Sequence, residues 1–483
     1  MRKEKDHIGE MILDENALYG IYSVRAKNNF PDTTLFAFEW YKAMAEVKLA
    51  YYKTILAFLL EAEKKYSLDT IPLKVPEKKV LEILCQQAKE ATDGTYYEHF
   101  IVSAMQGSAS INMNMNEILT NAALLAIQRK PGDYAVVDPV RDANIFQSPN
   151  DVVPSALKVA LMRLFNRLED TINKLRASIE HLEQQYRYAL RIGYTHMQEA
   201  VPSSFGRLFG SYSEALSRDW WRVSKCFERI KFLNLGGSII GTSISVPRYI
   251  VMEVVRTLRE ITGLPLAKSD NLADSTSNHD ALVEVHAILK AHAVTLEKMV
   301  SDLRLLASDV TKEKTIIMPQ QQTGCSVMPG EIHPEIFESV ISAAHRVYAN
   351  DMLVAGLCAQ GCLDLNAYIP TIGHAMVDSV KLLIACNETL LNNVFVDLKV
   401  RVDVAQELLF RSPAITTALV PYIGYNEAGR LAFLMQEKNI DIRQANAQLQ
   451  CIDDKKLEVI LSPGNLLKAG FTLGDIINDN ETR

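Results

Sequence analysis

Four short polar segments interrupt apolar stretches of this chain, and each carries side chains suited to holding a carboxylate or moving a proton. They are Gln106-Gly107-Ser108-Ala109-Ser110-Ile111-Asn112-Met113-Asn114-Met115-Asn116-Glu117, Gln147-Ser148-Pro149-Asn150-Asp151, Gly193-Tyr194-Thr195-His196-Met197-Gln198-Glu199-Ala200-Val201-Pro202, and Gly324-Cys325-Ser326-Val327-Met328-Pro329-Gly330-Glu331-Ile332-His333-Pro334. Hydroxyls and amides donate to anions, while His, Glu and a thiolate accept or return protons. Taken singly, each segment equally describes a helix cap or turn, because Ser, Asn and Asp satisfy the free backbone N–H groups of helix starts. The segments are far apart in the chain, so only convergence in space makes a site of them.

Long helices are the elements that must bring them together. Leu157, Leu161, Leu164, Leu168, Ile172, Leu175, Ile179, Leu182, Tyr186 and Ala189 step by three and four residues, which predicts one apolar seam on a helix about 50 Å long. Leu282, Val285, Leu289, His292, Leu296, Met299, Leu303 and Leu306 repeat the pattern, and a third stretch runs from Glu335 to about Cys362 behind Pro334. The breaks Pro202–Gly206, Leu235–Ser243 and Gln320–Ser326 read as loops between such helices. A mainly α chain with a central bundle of long helices follows. Residues 1–140 read as an N-terminal helical domain with shorter elements, 141–392 as the bundle, and 393–483 as a small C-terminal helical domain.

The 483 residues are 48% hydrophobic and 23% charged, which excludes disordered, collagen-like and disulfide-scaffold classes. A net charge of −7 without a Lys/Arg block does not favour nucleic acid or an acidic membrane as partner. Seven cysteines, an odd number without CxxC pairs, fit reduced thiols. The charged start Met1-Arg2-Lys3-Glu4-Lys5-Asp6-His7 leads into no apolar region, so a cytoplasmic protein binding a small molecule is expected. Cys358 and Cys362 lie one turn apart without further metal-spaced partners. They read as packing residues, and His292 on its seam as a core histidine.

In order and spacing the four segments resemble the fumarase/aspartase superfamily. Leu18-Tyr19-Gly20 with Arg25-Ala26 and Asn29-Phe30, Asn278-His279-Asp280-Ala281-Leu282-Val283-Glu284, and Thr417-Ala418-Leu419-Val420-Pro421-Tyr422-Ile423-Gly424-Tyr425 extend the resemblance nearly end to end. It implies three mainly helical domains, a homotetramer joined through the bundle, and active sites shared between subunits. It also implies a lyase without a cofactor or metal, which eliminates an amine or water in the anti sense by removing a β-carbon proton. Ser108, Ser110, Ser148, Asn150 and Thr195 would then bind substrate, and His196 would act in catalysis.

The signature loop departs from the family's G-S-S-x-M-P-x-K-x-N. Cys325 stands at the base position, Glu331 at the lysine and His333 at the asparagine, while Ala109 and Pro149 replace threonines. Glu for Lys inverts the charge offered to a carboxylate, a like-charge contact that costs several kcal/mol at about 4 Å. Aspartate or malate is therefore expected to bind badly. An acid at this position suits a cationic or N–H-bearing heterocycle, as in the ergothionase branch, which removes trimethylamine from ergothioneine to leave thiolurocanate. On that reading Cys325 or Ser326 lies near the β-proton, and Glu331 and His333 engage the imidazole. The base is left open between Cys325 and Ser326, since a Cys also fills a small-residue slot. An aspartate ammonia-lyase or fumarate hydratase-like enzyme, and a non-catalytic family member, remain as alternatives.

Overall fold

The computed structural model describes residues 1–67, 72–311, 313–319 and 335–477, and within these its backbone divides into two compact units. The first comprises Met1–Glu169, Trp221–Ala293 and His345–Ile384. It opens with the antiparallel hairpin β1 (Arg2–Lys5) and β2 (Glu10–Leu13), followed by α1 (Ile21–Asn29), α2 (Phe38–Glu63), α3 (Lys78–Ala91) and α4 (Ser108–Ala126). α2 is 26 residues long, in a region where the sequence suggested only shorter helices. Its Trp40, Tyr41, Met44, Val47, Tyr51, Tyr52 and Ile55 are buried on every side, so it lacks the apolar stripe that announces a surface helix. Its aromatic heads find partners in the core: Trp40 Nε1 donates to Val153 O at 3.1 Å and Tyr52 OH to Ala143 O at 2.8 Å.

Four long helices each contribute residues to both units: α5 (Pro149–Gln185), then, past β3 (Leu190–Thr195), β4 (Gln198–Ser204), α6 (Phe205–Ser224), α7 (Cys226–Ile230), α8 (Arg248–Thr262) and α9 (Asp274–Ser277), α10 (Asp280–Leu306), α11 (Ile336–Ala359) and α12 (Ile369–Leu390); the first three fall on the stretches expected from the sequence, whereas α12 was not singled out there. α5 has 37 residues, about 55 Å at the helical rise. Its seam is buried from Leu157 to Leu182, but the helix ends at Gln185, so Tyr186 and Ala189 fall in the turn beyond it. The α10 seam, His292 included, is buried throughout. The span Ile369–Phe395 is apolar and long enough to cross a bilayer, yet 67% of that window is buried inside the protein, as a core helix would be. Cys358 lies on α11 with its thiol on His279 O, and Cys362 follows the helix end, exposed.

The second unit, Asp170–Trp220, Val294–Ala344 and Ala385–Arg483, contains α13 (Val402–Arg411), α14 (Val420–Lys438), α15 (Ile442–Leu449) and α16 (Asp454–Leu461). Their core joins Leu409, Ile415, Leu419, Leu431, Met435, Ile442, Leu457 and Ile460 to Leu190 and Ile192 of β3. A capping box starts α15, with Gln444 N donating to Asp441 at 2.8 Å and Asp441 N to Gln444 at 3.2 Å. Residues 190–204 are a β-hairpin, so Gly193–Pro202 and Pro202–Gly206 are not the loops that the sequence suggested. Val201-Pro202-Ser203 continues β4, and α6 starts directly at Phe205.

Candidate active site

The residues of the first polar segment divide by burial. Ser108 opens α4 and Ser110 lies half-exposed two residues in, whereas Asn112, Asn114, Asn116 and Glu117 are buried. Asn114 accepts from the N–H groups of Ile101 and Val102 at 2.8 and 3.2 Å, which fixes the chain leading to the segment. The Glu117 carboxylate accepts from Gly20 N and Tyr22 N at 2.9 Å, from Ser23 N at 3.0 Å and from the Ser23 hydroxyl. It thus caps α1 from a neighbouring helix, and burial pushes its pKa up to about 7 despite those donors. The anchored α1 carries Tyr22, Arg25 and Asn29 to a cavity of about 300 Å³ that Ser110 also lines. Arg25 is held there by Asp6 through bonds of 2.6 and 2.8 Å, and Asp6 is drawn down to about 2, first by that guanidinium. Arg25 and Asn29 stood in the family-like opening but were not singled out as site residues.

The second segment builds the start of α5. Ser148 is the cap: its hydroxyl accepts from Asn150 N at 3.2 Å and its N–H donates to Asp151 at 3.0 Å, a reciprocal arrangement with Pro149 at the first helical position. Asn150 reaches out, donating its amide to Ile239 O at 2.8 Å. Beneath them lies a polar cluster that the sequence reading missed. Lys48, fully buried, donates to Gln147 Oε1 at 2.8 Å and lies 3.4 Å from Asn144 Oδ1, which also accepts from Asn112 at 2.9 Å. Burial lowers the Lys48 pKa to about 7 and raises that of Asp151 to about 6. A lysine inside the apolar run Met44-Ala45-Glu46-Val47-Lys48-Leu49-Ala50 was the available signal.

Thr195 and His196 occupy the tip of the β3–β4 hairpin. His196 and Met197 both have positive φ, 52° and 59°, the conformation of a two-residue turn whose twist matches the strands. Thr195 ends β3 opposite Gln198, and both candidate side chains are exposed. The structure therefore brings Ser148 and Asn150 together at one helix start, places Ser108 and Ser110 on another, and presents Thr195 and His196 on a projecting turn. Cys325, Ser326, Glu331 and His333 lie outside the described residues, as does the Gln320–Ser326 break.

Two other histidine settings are structural. His279 is buried, which lowers its pKa to about 4 and leaves it neutral. His286 contacts Asp351 at 3.2 Å and Ser379 Oγ at 2.9 Å, the order of a nucleophile relay, but His286 and Ser379 are fully buried and Asn350 also donates to Ser379 at 3.0 Å. The relay ties α10, α11 and α12 and has no access to a substrate. Among the described residues no group of three or more His, Cys, Asp or Glu side chains is placed to hold a metal ion.

Known proteins resemble this chain over nearly its full length. The family described as Lyase matches residues 17–349, and that described as Fumarase C C-terminus matches residues 415–468. An aspartate ammonia-lyase of Bacillus subtilis (strain 168) is 30% identical over 97% of this chain and 97% of its own length. One from Helicobacter pylori (strain J99) is 32% identical, covering 97% and 98%. Among solved structures, the fumarate lyase:delta crystallin of Brucella melitensis bound to cobalt superposes with a TM-score of 0.86 at 30% identity, covering 96% of this chain and 98% of that one. The class II fumarase of Schistosoma mansoni gives 0.84 at 22% identity over 96% and 98%, a likeness of fold.

Proposed function

The chain belongs to the fumarase/aspartase superfamily of lyases, and from that premise we propose that it eliminates an amine from a zwitterionic, amino-acid-like substrate without a cofactor. The observation that carries this is the near end-to-end match to aspartate ammonia-lyases, 32% identical over 97% of the chain, with Ser110, Ser148, Asn150, Thr195 and His196 present at the family's polar positions. Ser108, Ser110, Ser148, Asn150 and Thr195 hold a carboxylate. A base on the signature loop, Cys325 or Ser326, takes the β-proton. The C–H electron pair becomes the new C=C bond, and the C–N bond breaks with its electrons leaving on the amine. His196 serves proton transfer beside them. Thr195 and His196 stand exposed on the projecting β3–β4 turn, which supports a homotetramer whose sites are completed by other copies; the family's three-part division is proposed at 1–140, 141–392 and 393–483.

The substrate follows from charge. Glu331 and His333 at the family's Lys and Asn positions favour an imidazole-bearing betaine over a second carboxylate, so ergothioneine is the preferred substrate, giving trimethylamine and thiolurocanate. The relatives' own names favour aspartate as the second reading. Parallel incubations with ergothioneine, aspartate, histidine and malate, followed by absorbance of the new conjugated double bond, separate the two. A signal from ergothioneine supports the charge argument; a signal from aspartate alone rejects it.

A further inference from the structure

We propose that the Gly-rich turn Leu235–Ser243 is a wall of the substrate site, offering its backbone N–H groups to the substrate's carboxylate, and that Asp151 is the positioning residue that holds it there. The proposal rests on the reading of Ser148 and Asn150 as substrate-binding residues. Neither the family's polar segments nor the sequence reading gave this turn a role beyond a connection between helices.

Asp151 is fully buried. One of its oxygens accepts from Ser148 N at 3.0 Å, the bond that caps α5. The other accepts from Tyr51 OH at 2.8 Å and from the N–H groups of Gly236 and Ser238, each at 3.2 Å. A cap needs only the first of these four donors. The remaining three come from α2 and from the Gly-rich turn, so one carboxylate ties the substrate-binding segment to that turn. A second tie runs beside it. Asn234 donates to Asn150 O at 3.0 Å and to Thr276 Oγ1 at 2.9 Å, while Asn150 donates to Ile239 O at 2.8 Å.

The clamped part and the free part of the turn differ in character. Gly236, Gly237 and Ser238 are buried. Gly236 and Gly241 have φ of 82° and 79°, and a Cβ on Gly241 would collide with the backbone of Ala273, so this path requires glycine. Ile239 to Thr242 emerge to the surface next to Asn150. The N–H groups of Ile239, Ile240 and Gly241 make no close hydrogen bond among the described residues. Adjacent free peptide donors beside Ser148 and Asn150 are chemically suited to one carboxylate group.

Hydrogen–deuterium exchange and steady-state kinetics on the full-length protein test the proposal together. In Asp151→Asn, exchange at Gly236–Ser238 should quicken about tenfold, because an amide offers the turn fewer acceptor sites than a carboxylate. KM should rise about tenfold with kcat within threefold, the split expected when a binding wall loosens and the chemistry is intact. Tyr51→Phe, which removes the hydroxyl that donates to Asp151 and itself accepts from Gly236 N at 2.9 Å, keeps the Asp151 carboxylate on Ser238 and should quicken exchange at Gly236 alone, with KM within threefold; thermal melts of both variants guard against a folding artefact. In the wild type, ergothioneine, and aspartate in a parallel sample, should slow exchange at Ile239–Thr242. Faster exchange at Gly236–Ser238 with unchanged KM overturns the proposal, as does unaltered exchange there in Asp151→Asn. If neither compound is consumed, the substrate reading fails separately, and the exchange rates of Asp151→Asn then decide the clamp by themselves.

Discussion

Replacing Glu117 by Gln isolates one buried charge and the helix it anchors. The carboxylate lies inside the first unit, fully buried, and its pKa is raised from the ordinary 4.5 to about 7 by burial, against the pull of Ser23, Gly20 and Tyr22. Between pH 4.5 and 7 the native chain therefore holds a proton that the unfolded chain has released. Stability conferred at this site falls as pH rises through that window, by about 3 kcal/mol in all. Gln keeps the shape and one acceptor and has no such dependence. At pH 4.5 the protonated Glu117 and the Gln are near-equivalent, and the two proteins should melt within about 1 °C of each other. By pH 8 the variant should have gained about 3 kcal/mol on the wild type, roughly 3 °C if the 483 residues unfold together. Paired thermal melts at pH 4.5, 6 and 8 measure this. A gap that stays flat, or that opens in favour of the wild type at pH 8, refutes the reasoning and means that the Gly20, Tyr22 and Ser23 donors outweigh the cost of burial.

Three further outcomes are expected. His196→Asn, at an exposed turn, should leave the melting temperature within about 1 °C while lowering turnover about 100-fold and removing one limb of the pH–rate profile; turnover within threefold of wild type would exclude a proton-transfer role. Glu331→Lys should abolish the wild-type activity toward its preferred amine substrate, and unaffected turnover would mean that Glu331 never faces it. Gly373→Ala on α12 puts a methyl into space filled by the Trp40 indole and should destabilise the fold by about 1–3 kcal/mol, with a shift in tryptophan emission; an unshifted spectrum and unchanged melting would show that Trp40 yields freely.

Helices with one exposed face were legible in the sequence because their period is written in Leu and Ile, as on α5 and α10. α2 was obscured because it is apolar all round, and period cannot distinguish the faces of a helix without a wet side. The β3–β4 hairpin read as a polar loop because its strands are short and half-exposed, and its turn residues, His196 and Met197, are not the Asn-Gly that usually marks such a turn. Ser148 was legible as either cap or ligand holder, and the structure gives it the cap explicitly. Lys48, Glu117 and Asp151 were hardest to see. Each is a charged residue whose importance lies in burial, and burial depends on tertiary packing that no local pattern records. The departures at Cys325, Glu331 and His333, by contrast, stand out only in the sequence.

Cleavage of a carbon–nitrogen bond by this chain can be observed directly. Proton NMR of the purified protein incubated with ergothioneine, and with aspartate in a second tube, follows amine and unsaturated acid at once. Trimethylamine and a conjugated acid should appear in equal amounts from ergothioneine, with aspartate turned over far more slowly. Release of no amine from either compound, or hydration of fumarate as the sole reaction found, would contradict that cleavage.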